Sequence, residues 1–201
     1  MNGRRLTFYY DFASTYSYLS AMRIEELAAR IPVDVAWKPF LLGPIFKAQG
    51  WDTSPFNLYP QKGAYMWRDM QRLADAYDLP FMHPEPFPQN GLLAARLALV
   101  GSDAGWTAQF TRAVYFAEFG AAKNIADPEV LKAVLETIGV DAEAAMWETR
   151  NEALKQRLKD NGADAERQGV FGAPSFVTPD GELFWGNDRL EAALDWAASS
   201  I

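Results

Sequence analysis

Residues 6–19 read L-T-F-Y-Y-D-F-A-S-T-Y-S-Y-L, and this stretch carries the clearest indication of the fold. Residues 6–10 are rich in β-branched and aromatic side chains and end at Asp11, which is typical of a strand buried on both faces. Apolar side chains then recur every three or four residues, so a helix follows at once, with Ser14 or Thr15 as its N-cap. The sequence therefore predicts a short strand that passes directly into a helix.

The next elements complete a β-α-β unit. Pro32 ends the predicted helix, because proline cannot continue a helical hydrogen-bond ladder. V-D-V-A-W, residues 33–37, then alternates apolar and polar side chains as a strand does. Two strands joined by one helix are expected to be parallel.

Beyond this unit the pattern is helical up to about residue 161, with no convincing strand. Helices are predicted over residues 62–77, 91–99, 106–118, 128–138 and 141–160. Glycine and proline favour loops at residues 43–44, 51–60 and 83–88. We therefore expect a large helical insertion.

Strands return near the C-terminus. Residues 175–177 and 182–185 flank a Pro-Asp-Gly tripeptide, a turn that joins two antiparallel strands. Asn187 or Asp188 is then expected to cap a last helix that runs to about residue 198. The order β-α-β, helices, β-β-α is that of a thioredoxin-like α/β fold. The predicted thioredoxin-like domain comprises residues 1–40 and 165–201, and the all-helical insertion comprises residues 41–164.

Composition excludes several classes of function. Of the 201 residues, 49% are apolar and 14% aromatic, so the chain can bury a core and is not disordered. The net charge of −7, with no basic stripe, argues against a nucleic-acid partner. The chain contains no cysteine, which excludes disulfides, thiolate metal sites and cysteine nucleophiles, and its single histidine forms no cluster, so no metal site is expected. Without an 18-residue apolar segment we expect a soluble, cytoplasmic protein that does not enter membranes.

The first candidate site is S-T-Y-S, residues 14–17, at the junction of the first strand and the first helix. A thioredoxin-type fold presents its reactive group at this place, where backbone N–H groups and the helix dipole favour an anion. Ser14 would also serve as an ordinary N-cap, and for this position alone that structural interpretation carries more weight.

The second candidate is G-V-F-G-A-P-S, residues 169–175, in which Pro174 opens a strand. Proline suits the first residue of a strand or a cis turn, because it donates no ladder hydrogen bond. In thioredoxin-like proteins a cis-proline loop faces the N-terminus of the first helix. Ala173 would then offer its backbone to an extended thiol peptide, opposite Ser14.

The third candidate is W-G-N-D-R-L, residues 185–190, at the start of the last helix. Its backbone N–H groups could bind a carboxylate while Asp188 binds an ammonium, as an α-amino acid requires. Lys62, Lys47 and Asn57 could add anion contacts, although exposed lysines are usually only solvated.

With these motifs in hand, the chain resembles the 2-hydroxychromene-2-carboxylate isomerases, a branch of the family that includes the kappa-class glutathione transferases. The resemblance runs over nearly the whole chain. It rests on F-Y-Y-D-F-A-S-T-Y-S-Y-L (8–19), P-F-L-L-G-P-I-F-K (39–47), Y-P-Q-K-G-A-Y-M (59–66), G-V-F-G-A-P-S-F (169–176) and F-W-G-N-D-R-L (184–190). The family has a DsbA-like thioredoxin fold in which S-x-x-S replaces the redox C-x-x-C.

The resemblance implies a site for glutathione as cofactor. Its thiolate would accept a hydrogen bond from Ser14, the catalytic residue. The cofactor contacts that carry over are Ser14, Lys62, Ala173, Pro174, Trp185, Gly186, Asn187 and Asp188. Substrate contacts carry over to Lys47, Asn57 and Phe87, where Phe87 stands in place of a tyrosine of the naphthalene-pathway isomerases.

The activity implied is the interconversion of 2-hydroxychromene-2-carboxylate and trans-o-hydroxybenzylidenepyruvate, by transient addition of the thiolate to the substrate, in aromatic catabolism. The partners implied are a small aromatic carboxylate and a second copy of the chain, in a homodimer. A kappa-class-like transferase or peroxidase and a non-enzymatic thiol-binding module remain alternatives. A disulfide oxidoreductase is excluded, since a hydroxyl cannot form a mixed disulfide.

Overall fold

A computed structural model describes residues 4–199. Within these residues the strands are β1 (Arg5–Tyr10), β2 (Asp34–Pro39), β3 (Ser175–Val177) and β4 (Leu183–Trp185). They form one mixed sheet in the order β2-β1-β3-β4. β1 is parallel to β2 and antiparallel to β3, which is antiparallel to β4. This sheet is the predicted thioredoxin-like arrangement.

The helix that follows β1 is α1, Thr15–Ala28. Ser14 is its N-cap, and its hydroxyl accepts a hydrogen bond from the Ser17 N–H at 3.2 Å. The helix ends at Ala28, short of the residue 31 predicted from the apolar spacing. The residue before a proline avoids helical torsions, so Pro32 ends regular structure some residues earlier.

Helices occupy the segment between β2 and β3, as predicted. They are α2 (Leu42–Ala48), α3 (Pro55–Leu58), α4 (Pro60–Ala76), α5 (Leu92–Ala104), α6 (Thr107–Tyr115), a π-helical turn (Phe116–Gly120), α7 (Pro128–Thr137), α8 (Ala142–Glu148) and α9 (Glu152–Arg167). After the sheet come a 3₁₀ turn (Asn187–Arg189) and α10 (Leu190–Ser199).

Four local predictions were wrong. Gly43 and Pro44 lie inside α2, because proline is tolerated in the first turn of a helix. The predicted loop over residues 51–60 contains α3 and the first residue of α4. The helix predicted over residues 141–160 is two helices, since the Asn151 side chain accepts the Ala153 N–H and starts α9 anew. Neither Asn187 nor Asp188 caps the last helix with its side chain. The helix is preceded instead by a 3₁₀ turn that starts after Gly186.

One hydrophobic core connects the sheet to the inserted helices. Phe8 is fully buried, and its ring lies 5.3 Å from that of Phe176 and 5.2 Å from that of Trp37. Tyr10 of β1 and Tyr115 of the insertion continue this aromatic cluster, and their ring centroids are 6.3 Å apart. Burial of each such ring stabilises the fold by roughly 1.5–3 kcal/mol. The sheet and the insertion thus share this core, and the division at residues 40 and 165 stays a prediction.

The opposite face of the sheet is fastened to α9 by a polar cluster. Asp164 accepts a hydrogen bond from the Tyr9 hydroxyl at 2.5 Å and forms ion pairs with Lys38 and Arg167. Burial alone would raise the pKa of Asp164, but Lys38 and Tyr9 together lower it to about 2. The insertion is therefore held to the sheet by charge as well as by packing. Over residues 4–199, no helix combines the length and the apolar character needed to cross a membrane.

Candidate active site

Ser14 lies at the N-terminus of α1, in the turn that joins β1 to this helix. The residue is only 9% exposed and lines a large cleft. The Ser14 hydroxyl donates to the Ala173 carbonyl at 2.9 Å while it accepts from the Ser17 N–H. The same hydroxyl group therefore caps α1 and contacts the proline loop, and both contacts were predicted.

The loop before β3 forms the facing wall. The Ala173–Pro174 peptide bond is cis, as predicted. In the described part of the chain, the Ala173 N–H has no acceptor, whereas its carbonyl oxygen accepts from Ser14. The loop is steadied by the Ser175 hydroxyl, which donates to the Gly172 carbonyl at 2.8 Å. One backbone donor at the strand edge thus remains available to a ligand.

The cleft between these walls has a volume of about 1410 Å³. Small-molecule sites commonly measure about 300–1,000 Å³, so this cleft can hold a peptide-sized ligand and a second molecule together. Besides Ser14 and Ala173, two unlike regions line the cleft. One is formed by the end of β4 and the start of the 3₁₀ turn, and the other by aromatic side chains of the insertion.

The first region consists of the consecutive residues Trp185, Gly186, Asn187 and Asp188, which all line the cleft. Trp185 is 52% exposed, and its ring lies 4.9 Å from that of Phe171. The Asp188 carboxylate is exposed and lies 3.2 Å from the Arg189 guanidinium. An acid, a cation and the start of a helical turn are therefore available to a zwitterionic ligand.

Asn187 has a second role that the sequence did not indicate. Its side chain is buried and accepts hydrogen bonds from the Ser20 hydroxyl at 3.1 Å and from Arg23 at 3.4 Å. These bonds tie the 3₁₀ turn to α1. The side chain of Asn187 thus positions the turn, and the residue also lines the cleft.

The remaining predicted contacts separate into two groups. Lys62 and Phe87 line the cleft. Lys62 makes no ion pair with another described residue and lies 4.8 Å from the Tyr59 ring. Lys47 is exposed and lies outside the cleft lining. Asn57 also lies outside it, and its amide donates to Thr53 and to the Phe87 carbonyl.

The second region is an aromatic wall of Phe46, Trp51, Phe56 and Phe87, which all line the cleft. The Phe46 and Trp51 rings are 5.8 Å apart, and Phe56 faces Tyr16 at 6.4 Å. Phe87 packs at 4.7 Å against Trp67 behind it. Of these four residues only Phe87 was predicted. Phe46, Trp51 and Phe56 were not, because spacing along a helix does not separate a core ring from a cleft ring.

Two acids of the cleft were also missed. Asp11, at the end of β1, is buried and accepts from the Ala13 N–H at 2.8 Å and the Leu42 N–H at 2.7 Å. Burial raises the pKa of Asp11, although these two N–H groups oppose the shift. The other is Asp69, which accepts from the Tyr16 hydroxyl at 3.0 Å. The signal for Asp11 was its place directly after a buried strand.

Comparison with known proteins gives consistent matches. The family model of a DSBA-like thioredoxin domain matches residues 5–195. The 2-hydroxychromene-2-carboxylate isomerase of Sphingobium xenophagum is 30% identical over 190 residues, which are 94% of this chain and 95% of that protein. Glutathione S-transferase kappa 1 of Homo sapiens is 26% identical over 94% of this chain and 88% of its own length. A solved selenomethionine 2-hydroxychromene-2-carboxylate isomerase aligns with a TM-score of 0.84 and 28% identity, over 96% of this chain and 95% of that one.

Proposed function

The chain belongs to the family of DsbA-like thioredoxin domains that includes 2-hydroxychromene-2-carboxylate isomerases, and from this premise we propose that it is a glutathione-dependent isomerase. One observation carries the proposal. The Ser14 hydroxyl, at the positive end of α1, lies 2.9 Å from the Ala173 carbonyl, next to a backbone N–H that is free to pair with a peptide.

The residues of the cleft fit glutathione. The free Ala173 N–H and the carbonyl beside it match the backbone of a cysteinyl residue in extended conformation. Asp188 suits the γ-glutamyl ammonium, and the first N–H groups of the 3₁₀ turn suit its carboxylate. Lys62, without an ion-pair partner among the described residues, suits the glycyl carboxylate.

Bound glutathione would supply the thiol nucleophile that this cysteine-free chain lacks. Ser14 would stabilise the ionised thiol as a hydrogen-bond donor. A bond of this kind to a charged group is worth about 1.5–3 kcal/mol, and the helix dipole adds about 0.3–1 kcal/mol. Together these are enough to lower a thiol pKa by about two units, which requires about 2.7 kcal/mol. Ser14 itself forms no covalent bond.

The proposed reaction is the interconversion of 2-hydroxychromene-2-carboxylate and trans-o-hydroxybenzylidenepyruvate. The names of the isomerase relatives and the aromatic wall of the same cleft support this substrate. Phe46, Trp51 and Phe87 can contact the aromatic ring and exclude water from it. We further propose a role in aromatic catabolism for a cytoplasmic homodimer.

A second candidate, a kappa-class-like glutathione transferase or peroxidase, is favoured by a specific observation. Lys47 and Asn57 lie outside the cleft, and Phe87 carries no hydroxyl group. Two of the three predicted substrate contacts are therefore missing from the cleft and the third is apolar, so the aromatic region also suits an apolar electrophile.

One assay separates the two candidates. Purified protein is incubated with 2-hydroxychromene-2-carboxylate, with and without catalytic glutathione, while product absorbance and free thiol are followed together. Isomerisation that requires glutathione and leaves the thiol concentration unchanged supports the isomerase. Loss of thiol with an aromatic electrophile or a hydroperoxide, in place of isomerisation, supports the transferase or peroxidase. Turnover that does not depend on glutathione overturns both.

A further inference from the structure

Glu118 is a buried carboxyl group for which the proposed reaction has no use. It lies in the π-helical turn Phe116–Gly120 that follows α6, and its exposed fraction is 0%. Neither carboxyl oxygen has a hydrogen-bond partner among residues 4–199. An ionised carboxylate in such surroundings is strongly disfavoured, because nothing replaces the water it has lost.

A second buried acid, Asp11, influences Glu118 electrostatically. It belongs to the turn that carries Ser14, and its backbone carbonyl accepts from the Ser14 N–H at 2.9 Å and from the Tyr115 hydroxyl at 2.8 Å. Tyr115 lies one helical turn before Glu118 in the chain. Tyr18 of α1 packs on the same turn, but its hydroxyl donates to the Pro80 carbonyl at 2.6 Å. Glu118 is therefore linked to the Ser14 turn through Tyr115 and Asp11.

The two acids differ in hydrogen bonding. Asp11 accepts two backbone N–H groups, from Ala13 and Leu42, which stabilise its charged form. Glu118 accepts none. When two buried acids influence each other, the one with more hydrogen-bond donors ionises first, so the negative charge is expected on Asp11.

We propose that Glu118 is a positioning residue kept as an uncharged carboxylic acid behind the Ser14 turn, so that Asp11 carries the only negative charge of the pair. Burial and the charge of Asp11 both raise the pKa of Glu118 well above its usual range, in agreement with this assignment. Ionisation of Glu118 at alkaline pH would put a second negative charge behind the site that binds the thiolate. That charge would weaken the binding of the thiolate anion. As a result, kcat/KM for glutathione would fall at alkaline pH.

The proposal rests on the proposed function for its effect on glutathione, but the protonation of Glu118 can be tested alone. Infrared difference spectra are recorded at neutral pH between the wild type and Glu118→Gln, which imitates the uncharged acid in shape. The expected result is a carbonyl band of a protonated carboxylic acid in the wild type that is absent from the variant. If Glu118→Gln instead lacks carboxylate bands that the wild type shows, Glu118 is ionised at neutral pH and the proposal is overturned.

The second measurement is kcat/KM for glutathione as a function of pH. In Glu118→Gln the ratio of alkaline to neutral activity should be at least tenfold higher than in the wild type, because the charge can no longer appear. Glu148→Gln, which changes an exposed acid on α8, should follow the wild-type profile. An alkaline limb that is identical in the wild type and in Glu118→Gln would overturn the proposal.

Two further controls keep the outcomes distinct. If Glu118→Gln does not fold, Glu118→Met, of similar volume and without charge, takes its place in both measurements. If the wild type neither binds glutathione nor depends on it, the proposed function fails, while the infrared spectra still decide whether Glu118 is protonated.

Discussion

Replacement of Ser14 by alanine tests the centre of the proposed site. In the structure the Ser14 hydroxyl makes two bonds, one to the Ala173 carbonyl and one from the Ser17 N–H. Ser14→Ala therefore removes an N-cap and a link between the two walls, besides the donor to the thiolate. Loss of the cap alone should lower the free energy of unfolding by about 1 kcal/mol.

The effect on the thiolate can be estimated separately. The bond from Ser14 to a thiolate is worth about 1.5–3 kcal/mol. To make it, Ser14 must release the Ala173 carbonyl, but the cysteinyl N–H of glutathione can donate to that carbonyl instead. Because one hydrogen bond to the carbonyl replaces another, most of the stabilisation of the thiolate by Ser14 is kept. The pKa of the bound thiol should therefore rise by about one to two units in Ser14→Ala. A rise from about 6.5 to about 8 would lower the thiolate fraction at pH 7 roughly eightfold.

The assay is an ultraviolet titration of the thiolate in the glutathione complex, accompanied by thermal melts and a pH–rate profile. Activity of Ser14→Ala should recover in part as the pH rises, because the missing contribution is ionisation. Ser17→Ala is the matched control, since it removes a buried hydroxyl three residues away that does not line the cleft. A thiolate titration in Ser14→Ala that coincides with the wild-type curve would refute the reasoning and leave Ser14 as a cap.

Three other substitutions test the rest of the structure. Gly172→Ala puts a Cβ atom 2.5 Å from Trp185 Nε1, so the half-exposed ring must move from the cleft wall; calorimetry should show weaker glutathione binding, whereas Gly162→Ala, which meets no atom within 4 Å, should bind normally. Asp188→Asn should raise the KM for glutathione several-fold with kcat unchanged, since the contact persists through the reaction; an unchanged KM in steady-state kinetics would reduce Asp188 to a surface residue. Asp164→Asn should lower the free energy of unfolding at neutral pH by about 1–2 kcal/mol. Because the folded-state pKa of Asp164 is lowered to about 2, this difference should be complete above about pH 4 and vanish as the pH falls towards 2 in denaturant titrations.

The sheet could be predicted because each strand has a strong local signal. The aromatic run before Asp11 and the Pro-Asp-Gly turn specify their elements without help from distant residues. Helix boundaries in the insertion depend on local competition instead. Asn151 restarts a helix with its side chain although the apolar spacing continues through it, and proline at 44 suits a first helical turn as well as a loop.

The candidate site was predictable where a motif fixes the backbone. Ser14 and Ala173 are 159 residues apart in sequence, and their contact follows from the thioredoxin-like order of elements. The direction of a side chain does not follow from the order of the strands and helices. Asn187 turns its amide towards α1, and Lys47 does not line the cleft, because both outcomes depend on neighbours that only the folded chain provides. For the same reason Glu118 could not be separated from the solvated acids of other helices.

The bond between Ser14 and Ala173 has a consequence for the choice of thiol. Without a ligand, the hydroxyl proton of Ser14 is directed at the Ala173 carbonyl and is not free for an anion. A ligand whose amide N–H pairs with that carbonyl releases the proton at the place where its own sulfur arrives. A simple thiol without a peptide backbone makes no such replacement, and its thiolate must compete with the carbonyl for the same donor. Peptide recognition at Ala173 and stabilisation of the thiolate at Ser14 are therefore coupled, and this coupling favours a cysteinyl peptide over a small thiol.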